Sequence, residues 1–513
     1  MSFRVVIAAA LAAALSASLV PRTALAADDA AALLAKHHAY VGWSSGDGVV
    51  KTLRESGTVS GGTAKPAKIA VLRYGVAFRE MYENAQGLQS HDGFTGNVFW
   101  TSNANGFTLR PIGDVARYLI DDHAVFGELT ANYTPAVLRH ETVDGTDTVV
   151  LHLTHQIGYP MDVYVDPATG AFKRVVIDPN GRYEETINGI EYTEVQGKRF
   201  ISAYHYGHSK RISRYDAIVV NPEIAPDTLR PPAPSASWTF GEGTQPVELT
   251  GGNFPRIYVD VTMNGVKGRF ILDTGAASTV LTDRFASRIG AKRVMESRAS
   301  GIGGSVASTV YRIDSLHVGG STLNNLLVST GMPENFDEGE NVVGLLGFDL
   351  LAGAIVELDF DAKTLQVMDP AKVAPDQSRG LVLHPDLTTQ HMRVPMQLNG
   401  KIDVIATLDS GNPINVLFSK DLIHSKRVAL LADPDQLGST RYGGGIGNNY
   451  EIERCGLLTS LSLGPIEYKP VPACDSDAMG SGNEILVGLD FMKAFNYVFD
   501  YPDGIVLLMK RKG

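Results

Sequence analysis

Apolar and polar residues alternate in short runs broken by glycine along the C-terminal half of the chain, which predicts β-strands rather than helices. Residues 258–261 run into Met263-Asn264-Gly265, and residues 394–398 run into Asn399-Gly400. Asn-Gly between alternating runs is a hairpin signal, because both residues accept the positive φ of a two-residue turn. The returning strands end in Ile271-Leu272-Asp273-Thr274-Gly275-Ala276 and in Thr407-Leu408-Asp409-Ser410-Gly411-Asn412. A glycine cluster then follows in each case: Gly301, Gly303 and Gly304 around Ile302, and Gly443, Gly444, Gly445 and Gly447 around Ile446. Late apolar-Gly runs complete the series at Gly347 and Gly488, 74 residues after Asp273 and 79 after Asp409. In both copies a further Asp, 359 or 500, lies 12 residues beyond that glycine. Four features in one order at matched spacing read as a tandem duplication.

The N-terminal part carries a different pattern. Residues 148–154 alternate, and 161–165 pass through Asp166-Pro167-Ala168-Thr169-Gly170 to 172–177, a hairpin reading. Residues 191–194 and 200–204 flank a turn at Gln196-Gly197, while helical periods are expected over 30–40 and 114–126. Prolines over 222–234 remove backbone donors and stiffen the chain, which marks a linker. The expected organisation is a signal peptide (1–26), an N-terminal α+β, β-rich domain (28–220), a linker (221–249) and two lobes, 250–370 and 380–513.

Composition narrows the function. The 513 residues are 44% hydrophobic and 20% charged, ordinary for globular domains, and the net charge of −11 argues against nucleic acid as a partner. Arg4 precedes an apolar stretch over 5–20, and Ala24-Leu25-Ala26 follows as a small-x-small cleavage site. This is the pattern of an exported protein, with the periplasm or the extracellular space as destination. For Cys455 and Cys474 an oxidising compartment suggests a disulfide, with two buried thiols as the alternative. The histidines at 37 and 38, 152 and 155, and 205 and 208 lack convincing carboxylate or cysteine partners, so no metal site is expected.

One Asp-Thr/Ser-Gly is mostly a turn, but two of them, each after an apolar strand, supply paired carboxylates. Two carboxyls about 3 Å apart in a partly dry cleft share one proton. The ionised member can then activate water while its protonated partner donates to a carbonyl oxygen, with no cofactor. The sequence here resembles the retropepsin-like aspartic peptidases over roughly residues 250–510. That resemblance implies two acid-protease β-barrel lobes facing each other, with Asp273 and Asp409 catalytic and a peptide or protein as substrate. It implies that the Thr274 and Ser410 hydroxyls tie the Asp loops together, that Gly275 and Gly411 let the backbone turn tightly, and that the glycine clusters form flaps. Asn412, where the first copy has Ala276, is expected to hydrogen-bond Asp409 and favour its ionised form, which leaves the proton on Asp273. Pairing within one chain, as a monomer, is the expectation and a dimer the alternative. A peptidase-derived binding protein that does not cleave is the competing function. The strand-Asp-Pro-x-Thr-Gly-strand run resembles the LolA-like half-barrels, which implies a curved sheet able to hold a lipid or lipopeptide ligand.

Overall fold

The computed structural model describes residues 29–512 apart from 45–46, 63–64, 111–132, 156–158, 182–183, 251–254, 337–339, 388, 414, 421, 423–427, 429, 432–440, 444, 448–449, 453–454 and 480–483. The expected signal peptide over 1–26, the expected helix over 114–126 and Gly444 lie outside the described residues.

Alternation in the N-terminal half resolves into a 13-stranded antiparallel sheet. Its first strand, Thr52–Ser60, pairs with its last, Ile212–Val220, so both ends of the meander meet in mid-sheet. One face buries Ile69, Val71, Phe78, Val163, Val165 and Val175. Against it lies the helix Ala30–Val41, which buries Leu33, His37 and Val41. The helix starts where the Asp29 carboxylate accepts the Ala31 N–H at 2.9 Å. It stops at Gly42, whose φ of 78° lets its own N–H reach the His38 carbonyl.

The stretch 221–249, expected as a linker, is structured at its C-terminal end. Ser237–Thr239 pairs with Ser321–Thr330, and Thr244–Leu249 bridges Ile257–Met263 and Thr364–Met368. Beyond Pro234 the backbone regains most of its donors, and sheet edges that would otherwise leave polar groups unpaired take them up.

In the C-terminal half each repeat builds the same unit. Ile257–Met263 pairs with Val266–Leu272, and Arg393–Leu398 pairs with Ile402–Asp409. The turns are tight because Asn264 and Asn399 adopt φ of 45° and 51°. Late strands then insert parallel to the strands that lead into the Asp loops: Val342–Leu346 sets Leu346 opposite Leu272, and Glu484–Gly488 sets Gly488 opposite Asp409. Ile355–Asp359 of the first repeat pairs directly with Phe495–Asp500 of the second, and Ile505–Lys510 and Leu381–Leu383 extend that sheet. One hydrophobic cluster runs from Phe270, Phe285 and Leu346 to Phe418, Ile485 and Phe491, so both repeats are joined by core as well as by backbone. Each such side chain contributes about 1.5–3 kcal/mol by leaving water. The architecture is mainly β, two acid-protease-like lobes after a half-barrel-like domain. Among the described residues no helix is long and apolar enough to cross a membrane.

Candidate active site

The two Asp loops meet where the repeats face each other. Thr274 Oγ1 donates to the Leu408 carbonyl at 2.7 Å and accepts the Ser410 N–H at 3.0 Å. Reciprocally, Ser410 Oγ donates to the Leu272 carbonyl at 2.8 Å and accepts the Thr274 N–H at 3.0 Å. Both side chains are buried, so these four bonds form in a dry environment, where losing any one leaves a polar group unpaired. Late strands hold the loops from behind: the Asp273 N–H donates to the Leu346 carbonyl at 2.9 Å.

Crossing the loops this way brings Asp273 and Asp409 into hydrogen-bond contact. Each carboxylate also accepts from its own loop, Asp273 Oδ1 from the Gly275 N–H at 2.9 Å and Asp409 Oδ1 from the Gly411 N–H at 2.8 Å. Gly275 and Gly411 do not have positive φ. A Cβ at Gly275 would fall within 3.0 Å of the Asp409 carboxyl atoms, and one at Gly411 within 3.0 Å of the Asp273 carboxyl atoms. Both loops turn tightly, the Ala276 N–H reaching the Asp273 carbonyl at 3.2 Å and the Asn412 N–H the Asp409 carbonyl at 3.1 Å, and glycine is needed there because the opposite carboxyl fills the side-chain space.

The electrostatics are unequal. Burial first, then the Asp409 charge and the hydrogen bond to it, push Asp273 well above the ordinary carboxylate range. Burial also raises Asp409, but the hydrogen bond from Asp273, the Gly411 amide, the His391 ring and the Asn412 amide pull it back. The two carboxyls therefore share one proton, and the hydrogen bonds gathered on Asp409 favour its ionised form. In the second repeat the Asn412 backbone N–H also reaches Asp409 Oδ1, at 3.1 Å.

Sequence reasoning missed a second asymmetric pair. Arg256 and His391 stand eight residues before Asn264 and Asn399, at equivalent places in the two repeats. Arg256 Nη1 donates to the Gly411 carbonyl at 3.1 Å, and its charge opposes the rise at Asp273. His391, whose Nδ1 lies 3.2 Å from Thr389 Oγ1, stands near the Gly275 carbonyl and faces Asp409. Each residue thus crosses to the other repeat's Asp loop, one with a permanent charge and one with a titratable ring. An aligned pair of cationic side chains ahead of the two Asn-Gly turns was the signal available.

The glycine clusters of the two repeats meet each other. Gly303 bridges Gly447, and Cβ atoms at Gly301 or Gly445 would press on Ile446 or Ile302. Gly304 has φ of 114° and Gly447 of 111°, which lets both tips turn. Gly443 ends the strand Arg441–Gly443, which pairs with Tyr450–Ile452. Ile302 packs on the second repeat's Leu417, Ile452 and Cys474, and Ile446 packs on the first repeat's Tyr258, Ile271 and Val280. Cys455 and Cys474 sit opposite each other on paired strands and are disulfide-bonded.

Elsewhere, His152 is 2.6 Å from the Asp162 carboxylate, and His37 stacks on Phe172. Among the described residues no cluster of three or more His, Cys, Asp or Glu side chains is arranged to hold a metal ion.

Residues 259–350 match the family model described as "Aspartyl protease". A segment of 119 residues is 31% identical to the DNA damage-inducible protein 1 of Neurospora crassa, covering 22% of this chain and 26% of that protein. The chain thus spans about a quarter of the length of the curated relative that it matches. A solved LolA superfamily protein from Nitrosomonas europaea aligns with 39% of this chain and 97% of its own, at 14% identity and a TM-score of 0.30.

Proposed function

We propose, from the premise that the chain carries a retropepsin-like aspartyl protease domain, that it is an exported endopeptidase whose two repeats form one catalytic dyad. The observation that carries this reading is the reciprocal crossing of Thr274 and Ser410, which holds Asp273 and Asp409 against each other with raised proton affinities. Asp409, ionised, takes a proton from a water molecule lying between the carboxyls. The water oxygen bonds to the peptide carbonyl carbon as protonated Asp273 donates to the carbonyl oxygen. Collapse of the tetrahedral species breaks the C–N bond: ionised Asp273 takes back a proton from one hydroxyl as the carbonyl re-forms, and the proton held by Asp409 passes to the leaving amine. The flap tips over the cleft would exclude bulk water during these steps and must part for substrate to enter.

Export is supported by the Cys455–Cys474 disulfide, since disulfides persist in oxidising compartments. Cleavage of a peptide library by the purified mature chain tests the reading, beside Asp273→Asn and Asp409→Asn. Each single substitution should lower kcat by at least about 10³-fold, because either one removes the shared proton or the base. Activity that survives either substitution would refute the composite dyad.

A further inference from the structure

Between the N-terminal sheet and the first repeat lies a cavity of about 300 Å³. Its first-repeat wall includes Ser278, Val310 and Leu327, and its N-terminal wall includes Tyr82, Asn84 and Leu88. Ser278 lies on the chain leaving the Asp273 loop, and its carbonyl crowds Gly347 of the late strand. Val310 belongs to the second strand of the first flap, opposite Met295 of the first. Ser278 and Val310 thus link this space to the Asp273 loop and to the first flap.

The two walls are fixed to each other. Asn105, at the tip of an N-terminal hairpin, donates to the Leu327 carbonyl at 2.8 Å and accepts the Leu327 N–H at 2.9 Å. Its Nδ2 also donates at 2.9 Å to Asp349, a buried carboxylate two residues past Gly347. Asn84 Nδ2 reaches Met295 Sδ at 3.5 Å, which ties the neighbouring hairpin to the flap. The cavity is bounded by elements that also hold the candidate active site.

The chemistry of the lining selects a ligand. No lining residue is an Asp, Glu, Lys, Arg or His. Leucine, valine and tyrosine side chains supply apolar surface, while serine hydroxyls and asparagine or glutamine amides offer hydrogen bonds to a backbone. A volume near 300 Å³ is at the lower end of ligand pockets, which run from about 300 to 1,000 Å³. It suits one or two side chains of an extended peptide.

We propose that this cavity is a substrate subsite, built jointly by the N-terminal domain and the first repeat, that takes an uncharged apolar side chain a few residues from the scissile bond. This rests on the peptidase reading above. The N-terminal domain thereby helps to choose the substrate.

The test uses the full mature chain and its Leu88→Arg and Leu88→Trp variants, Leu88 being half-buried at a hairpin turn away from the dyad. Decapeptides carrying Leu, Asp or Lys at each position in turn are cleaved beside a short reporter that spans only the scissile bond. The wild type should prefer Leu over Lys at one position by about tenfold in kcat/KM, the scale of a filled apolar pocket. Leu88→Arg should abolish that preference and favour Asp there, Leu88→Trp should favour a smaller residue, and the short reporter should change less than about twofold. Unchanged profiles in both variants overturn the proposal, as does equal loss on long and short substrates. If the wild type cleaves nothing, the peptidase reading fails by itself, and fluorescence anisotropy with the labelled Leu decapeptide decides the subsite. Binding weakened about tenfold by Leu88→Arg upholds the subsite. Equal binding, or none to the wild type, overturns it.

Discussion

A methyl group at Gly275 or Gly411 would occupy the space now filled by the carboxyl group of the opposite repeat, so these glycines set how near the two acids come. Proximity in turn makes the pair hold one proton. His391 adjusts the balance. It faces Asp409, stands near the Gly275 carbonyl, and has Arg393 beside it, itself paired with Asp386 at 3.2 Å and Glu484 at 3.1 Å. Burial lowers the His391 pKa, so the ring gains its charge only on the acid side, where it favours ionised Asp409. The acid limb of kcat/KM reports protonation of Asp409 and the basic limb reports ionisation of Asp273. His391→Gln should move the acid limb to higher pH, and His391→Arg, which copies Arg256, should move it lower. A limb at the same pH in all three proteins would remove His391 from the site, whereas a purely structural role would change amplitude without ordering the limbs by charge.

At the scale of the element, the helix Ala30–Val41 has a pH dependence of its own. His37 is buried, stacks on Phe172 with ring centroids 3.8 Å apart, and lies 2.6 Å from the Gly170 carbonyl. Burial is the main reason its pKa falls to about 3, against an unfolded value near 6.5. A folded-state pKa below the unfolded one means that the unfolded chain binds more protons between those values. Stability from this group is therefore complete above about pH 6.5 and declines as pH falls toward 3. His91, lowered to about 4 by burial and Arg79, adds to the same slope. Calorimetry at pH 7 and pH 4.5 should show a fall in melting temperature of several degrees that is clearly smaller in His37→Leu; an equal fall in both proteins contradicts the assignment. The Asp loops were readable in sequence because each needs an apolar strand, an acid and a small residue in consecutive places. His391 was not, since its effect depends on crossing to the other repeat. Nor was Ser237–Thr239, whose three residues carry no period, or the Asn105–Asp349 contact, which joins positions 244 apart.

At the scale of the whole molecule, Ile355–Asp359 and Phe495–Asp500 splice the repeats into one sheet, and Ile302 and Ile446 each pack on the other repeat's apolar cluster. A site completed inside one chain has no association step to lose on dilution, unlike a dimer. Specific activity should stay constant from micromolar to low nanomolar protein; a sharp loss with dilution would point instead to pairing between chains. In a two-fold homodimer every substitution appears twice and the cleft reads the same from both ends. Here Arg256 answers His391, Ala276 answers Asn412, and Asn105 and Asn84 of the N-terminal domain hydrogen-bond to Leu327 and Met295 of the first repeat. A peptide bound between the repeats, as proposed, would therefore meet a different surface at each end.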